Sequence, residues 1–135
     1  MILDSSAIVA ILKREPDWRK YAEELDAADT ISISAGTYLE TSVVIGRLND
    51  PVMNRQIDEL IVEFDISIEP FTAEQAQIAR QAYKDYGNGS GHPANLNFGD
   101  CFSYALARVK REPLLFRGDD FIHTDIRPAA RLDPL

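Results

Sequence analysis

Carboxylates stand at four places where an apolar run gives way to a turn or a helix start. Asp4 follows Met1-Ile2-Leu3, Glu40 lies in Ser34-Ala35-Gly36-Thr37-Tyr38-Leu39-Glu40, and Asp100 sits near the head of the apolar segment NFGDCFSYALA. Asp119 and Asp120 follow Leu114-Leu115-Phe116. Each acid has an ordinary local explanation. Asp4 can cap a helix, although Ser5 and Ser6 would cap one without a charge. Glu40 can close a capping box with Thr37, yet Val43, Val44 and Leu48 stand three, four and eight residues ahead of it, on its own helical face. Asp100 can complement a helix dipole, a contribution of ~0.5 kcal/mol that does not require its aromatic setting. Asp119 and Asp120 read alone as turn residues.

Taken together, the acids suggest one chemistry. Carboxylates gathered at one point repel and raise one another's pKa, and a divalent cation removes that penalty. An oxygen-only donor set without a His or Cys cluster suits Mg2+ or Mn2+ better than zinc. His92 lies in a glycine-rich loop and His123 near the C-terminus, both expected to be solvated or structural. Cys101, the single cysteine, is expected to be a small buried apolar residue, since no basic partner for a nucleophilic thiol is evident.

Those acids need a scaffold that gathers them. Met1-Ile2-Leu3, Ile31 to Ser34, Ile66 to Glu69 and Leu114 to Phe116 read as short strands. Between them lie helical patterns over Ala7 to Leu12, Asp17 to Ala28, Tyr38 to Leu48, Pro51 to about Phe64, Thr72 to about Tyr86 and Phe98 to Val109. Thr72-Ala73-Glu74-Gln75 is a capping box, and Gly87 to Asn97 is a loop. The tail after His123 is expected to add a short strand or an extended piece. Strands alternating with helices predict an α/β fold with a mostly parallel sheet, whose strand carboxyl ends make the natural site.

Composition bounds the rest. The 135 residues fit one domain spanning 1–135, and a 45% apolar share excludes disorder. One cysteine excludes an internal disulfide, and with no leader pattern at the start a cytoplasmic location is expected. No uncharged run approaches the ~18 residues of a membrane span. The net charge of −8 argues against nucleic-acid binding unless bound cations reverse the field locally or the acidic surface serves a basic partner.

The motifs, in order, resemble the PIN-domain ribonucleases, and specifically the VapC toxins of bacterial toxin–antitoxin pairs. MILDSSAIVAIL is similar to the family's opening strand with its first acid, and SAGTYLETSVV to the helix carrying the second. FTAEQAQIARQAYKDYG resembles the helix before the active-site loop, NLNFGDCFSYALA the segment with the third acid, and PLLFRGDDFIHTDI the closing segment. The resemblance implies a three-layer α/β/α PIN fold and Mg2+-dependent hydrolysis of RNA, with Mn2+ able to substitute. It places Asp4, Glu40 and Asp100 on the main acidic positions and selects Asp120 over Asp119 as the fourth. These four would be both catalytic residues and metal ligands, with Ser6 supporting the first acid. It also implies a VapB-type antitoxin as partner, an RNA substrate and a homodimer. Two departures stand out. The usual DTSA is DSSA here. Where relatives often carry Gly-Lys-Gly-Arg-His, this chain has Gly87-Asn88-Gly89-Ser90-Gly91-His92, one residue longer and without either cation. Arg108, Lys110, Arg111 and Arg117 remain as candidate contacts to an RNA backbone, each equally readable as a solvated surface cation.

Three alternatives meet specific residues. A haloacid-dehalogenase-type phosphotransfer enzyme needs a second Asp two residues after the first, where this chain has Ser6. A receiver-like signalling module needs an Asp ending a middle strand and a Lys ending a late one, and neither is present. A PIN fold that only binds would have no reason to retain four acids.

Overall fold

The computed structural model describes residues 1–129. Along the chain run β1 (Ile2–Leu3), α1 (Ser5–Leu12), α2 (Trp18–Ala27), β2 (Ser32–Ser34), α3 (Ala35–Gly46), α4 (Pro51–Glu63), β3 (Ser67–Glu69), α5 (Ala73–Tyr86), α6 (Phe98–Lys110) and β4 (Leu114–Leu115). The strands form one sheet in the order β3-β2-β1-β4, and each pairing between them is parallel. Parallel neighbours require crossovers, which the helices supply.

Strand side chains alternate between two cores, which makes the architecture three-layered. Leu3 and Leu115 pack with Ile33 and the apolar faces of α1, α2, α3 and α4. Their neighbours Ile2 and Leu114 pack on the opposite face, with Ala82 of α5 and Tyr104, Leu106 and Ala107 of α6. Ile2, Leu3, Leu114 and Leu115 have no solvent exposure, as expected of central parallel strands covered on both faces.

Local chemistry sets the helix starts. Asp4 caps α1, Ser34 Oγ accepts from Gly36 N–H at 3.2 Å to cap α3, and Asp50 caps α4 ahead of Pro51. Helix α3 therefore begins at Ala35, three residues before the expected Tyr38, so Thr37 lies inside it and caps nothing. Thr72 Oγ1 accepts from Gln75 N–H at 3.2 Å, but the Gln75 side chain donates to Pro70 O instead of closing the expected box. The tail supplies the extended piece: Pro128 bridges Leu114 in parallel, with Ala129 N–H donating to Leu114 O at 2.9 Å. Because the sheet is parallel, Asp4, the start of α3 and the turn at residues 117–120 all lie at one edge. The order β2-β1-β4 puts Asp4 between the other two, where neighbouring strands lead away in opposite directions.

Candidate active site

Asp4 is both a helix cap and a buried acid, only 2% exposed. Ser6 N–H and Ser6 Oγ donate to its Oδ2 at 3.1 and 2.6 Å, and Ser103 Oγ donates to its Oδ1 at 2.5 Å. Ser6 Oγ in turn accepts from Arg117 N–H at 2.9 Å, which ties α1 to the chain leaving β4. Burial pushes the Asp4 carboxyl above the ordinary carboxylate range, and the hydrogen bonds from Ser103 and Ser6 pull against that rise.

Glu40 reaches the same place from the first turns of α3. Ser5 Oγ donates to its Oε1 at 2.9 Å. Its other oxygen lies where a side chain on Gly99 would stand: a Cβ there would be 1.6 Å from Oε2. Gly99 and Asp100 are consecutive in α6, so Glu40 lies against the backbone that carries Asp100. Burial raises the Glu40 pKa, the Ser5 hydrogen bond opposes that, and the Asp4 charge adds to it. Glu40 does not share a buried face with the valines ahead of it, contrary to the expectation from spacing. Val43, Val44 and Leu48 are exposed by 45, 38 and 45%, so the apolar face they form points outward. The buried stripe of α3 is Thr37, Thr41 and Ile45, and Glu40 lies at its margin.

Asp100 likewise does two things. It forms a capping box with Asn97, with Asn97 N–H donating to Asp100 Oδ2 at 3.0 Å and Asp100 N–H donating to Asn97 Oδ1 at 2.9 Å. It is also 8% exposed, and its carboxyl is pushed up to about 8, chiefly by burial, with the charges of Asp4 and Asp120 adding to the rise. Asp120, itself exposed, is near enough for its charge to bear on Asp100. Asp119 instead lines a separate cavity of about 370 Å3 with Asp17, Lys20, Tyr21 and Arg117.

The remaining candidates divide clearly. Burial raises the Cys101 thiol to about 11, so it stays protonated and unreactive. His92 Nδ1 accepts from Ala94 N–H at 3.0 Å and its ring meets Tyr86 edge-on, a loop-shaping role. Arg108 pairs with Asp125, Lys110 with Glu69 at 3.2 Å and Arg117 with Asp17 at 3.0 Å, so three of the four candidate cations are already partnered. Arg111 ends α6 in a left-handed conformation.

Among the described residues, no three His, Cys, Asp or Glu side chains stand already arranged around a common ion position. What the site offers is a set of carboxylate oxygens from four chain segments, three of them with raised pKa values. That donor chemistry fits a hard divalent ion, which would lower the charge repulsion that raises those values.

The sequence of residues 1–127 matches the model of the PIN domain family. The chain belongs to that family. Within it, the chain is 54% identical over 129 residues to Ribonuclease VapC28 of Mycobacterium tuberculosis, covering 96% of this chain and 97% of that one. It is 51% identical over 129 residues to Ribonuclease VapC42 of the same species, covering 96% and 98%. This PIN domain is therefore of the VapC ribonuclease type. Its fold matches M. tuberculosis VapC20, described as a sarcin-ricin loop cleaving toxin, with a TM-score of 0.70 and 16% identity, over 94% of this chain and 98% of that one. It also matches FitAcB of Neisseria gonorrhoeae, with a TM-score of 0.70 and 21% identity, over 94% of each chain.

Three contributors to this PIN site were missed in the sequence: Ser103, Thr37 and Gly99. Ser103 carried a usable signal, being a polar residue in an apolar run and three residues after Asp100, hence on its helical face. Gly99 carried none, because the side chain that fills its missing Cβ position comes from α3.

Proposed function

We propose that this PIN domain is a Mg2+-dependent endoribonuclease, the toxic member of a VapBC-type pair, with Mn2+ able to replace Mg2+. The observation that supports the reading is that acids from four separate segments influence one another: the Asp4 charge bears on Glu40 and Asp100, and the Asp120 charge bears on Asp100. Asp4 and Asp100 would anchor the ion, with Glu40 and Asp120 completing its surroundings. The bound ion would lower the pKa of a water and stabilise charge on the phosphoryl group during hydrolysis. Ser5 holds one oxygen of Glu40, leaving the other available beside Gly99 to orient the attacking water. Exposed Asp120 is the alternative for that role.

The similar proteins named as ribonucleases support RNA as the substrate. A structural relative, VapBC2 of Rickettsia felis bound to a DNA fragment from its promoter, is consistent with an antitoxin partner here. The apolar surface beside Glu40 suits such a partner. A cavity of about 400 Å3 there is lined by Leu39, Val43, Val44, Phe98 and Phe102, with Phe98 77% exposed. The acidic chain suits a basic antitoxin segment, and we expect the toxin to be a homodimer. No described helix is long and apolar enough to cross a membrane.

The deciding experiment is cleavage of RNA by purified protein with Mg2+ or Mn2+, with and without EDTA, beside Asp100→Asn. Cleavage should stop with EDTA and with the substitution. Activity without metal, or an active Asp100→Asn variant, refutes the mechanism. A fold that only binds would show no Mg2+-dependent thermal shift.

A further inference from the structure

Two hydroxyls beneath Asp4 belong to none of the acidic positions. Thr37 and Ser103 have zero exposure, and their hydroxyl oxygens lie 3.1 Å apart, joining α3 to α6. Ser103 Oγ also reaches Asp4 Oδ1. A serine hydroxyl has one hydrogen. When the Asp4 carboxylate accepts it, Ser103 has only acceptor capacity left toward Thr37, so Thr37 Oγ1 must donate. Asp4 is then held from two sides by matched chains: Arg117 N–H to Ser6 Oγ to Oδ2, and Thr37 Oγ1 to Ser103 Oγ to Oδ1. Ser6 N–H and Ser6 Oγ both donate to Oδ2, so Ser103 is the donor that holds Oδ1 and with it the rotation of the carboxylate. Thr41 behaves differently: its hydroxyl donates to Thr37 O within α3 and adds nothing to the chain.

From this geometry we infer that Ser103, oriented by Thr37, is a positioning residue that sets the Asp4 carboxylate for ion binding. The inference rests on the nuclease reading above and deepens it. A competing account makes the Thr37–Ser103 bond only a staple between two packed helices. In that case its loss would lower stability, and activity would follow the folded fraction.

The test uses the full chain with Ser103→Ala, Thr37→Val, the double variant and Thr37→Ser. Two readouts are taken with Mg2+ alone as the probe: the concentration giving half the maximal thermal shift, and kcat and KM for RNA cleavage. Loss of a group that orients a metal ligand typically costs about 10- to 100-fold in affinity or activity. Ser103→Ala should raise the Mg2+ midpoint and lower kcat within that range, with KM for RNA unchanged. Thr37→Val should show a smaller loss of the same kind, and Thr37→Ser should restore the wild-type values. The double variant should match Ser103→Ala, because Thr37 acts only through Ser103. Multiplicative losses in the double variant, or a wild-type Mg2+ midpoint and kcat in Ser103→Ala, overturn the inference. If Ser103→Ala does not fold, Thr37→Val against Thr37→Ser decides: equal Mg2+ midpoints and kcat values overturn it. If the wild-type protein shows neither a Mg2+ shift nor Mg2+-dependent cleavage, the nuclease reading falls first and takes this inference with it. Wild-type Mg2+ dependence with indifferent variants removes this inference alone.

Discussion

Gly99→Ala isolates the position of one carboxylate. Gly99 is the second residue of α6 and is absent from the positive-φ positions, so alanine fits its backbone. The added Cβ would stand 1.6 Å from Glu40 Oε2, 2.4 Å from its Cδ and 2.8 Å from Oε1. To regain ordinary van der Waals contact, Oε2 must retreat by about 1.8 Å. The three nearest atoms belong to the end of the Glu40 side chain, so the carboxylate can swing away while the helices stay in place. Two effects on stability then oppose each other. Losing the Ser5–Glu40 hydrogen bond costs about 0.5–1.5 kcal/mol, while replacing a compatible glycine by alanine contributes about 0.4–1 kcal/mol. The melting temperature should therefore stay within a few degrees of wild type. Catalysis has no such offset, and displacing a reacting group by an ångström or more can cost about a hundredfold. Initial rates of RNA cleavage in Mn2+, measured beside thermal melts, should show a stable protein about a hundredfold slower. Adding Gly99→Ala to Glu40→Gln should cost little more than Glu40→Gln alone. A stable Gly99→Ala protein cleaving at the wild-type rate would refute the claim that the Glu40 carboxylate must lie against Gly99. A melt lowered by ten degrees or more, about 2 kcal/mol or above, would refute the claim that only this side chain stands in the way.

The adjacent acids of the closing turn should separate in the same cleavage assay: Asp120→Asn should lose at least about tenfold, while Asp119→Asn should stay near wild type. Equal losses would show that the turn does not direct the two side chains to different places. Stability in EDTA should fall as pH rises. Asp4, Glu40 and Asp100 have folded pKa values above their unfolded ones, so the folded state holds protons that the unfolded chain releases. For Asp100 that stabilisation is complete below its unfolded value near 3.8 and is lost as pH rises through about 8. Within the window, each excess proton is worth about 1.4 kcal/mol per pH unit. Thermal melts from pH 5.5 to 8 should show the decline, Asp100→Asn should flatten it, and a melting temperature that rises with pH would contradict it.

The sequence alone determined the frame of this protein. Periodicity and turn chemistry give short strands alternating with helices, and a parallel sheet necessarily brings their carboxyl ends to one edge. Asp4 was legible as the acid directly after a strand and Asp100 as a charge in an apolar segment, whereas the apolar face used to single out Glu40 points outward; the similarity of five ordered motifs added the family. Only the tertiary structure decided what is one residue or one face apart. Asp119 and Asp120 share a turn whose local chemistry is the same for both; motif similarity points to Asp120, and the structure puts Asp119 on a separate cavity. Val43, Val44 and Leu48 form an apolar face in either reading, and only packing shows that α3 buries Thr37, Thr41 and Ile45 instead. Ser103 and Thr37 beneath Asp4, and Glu40 in the space above Gly99, join residues far apart in the chain. Such contacts depend on how helices dock on the sheet, and local propensity carries no record of that.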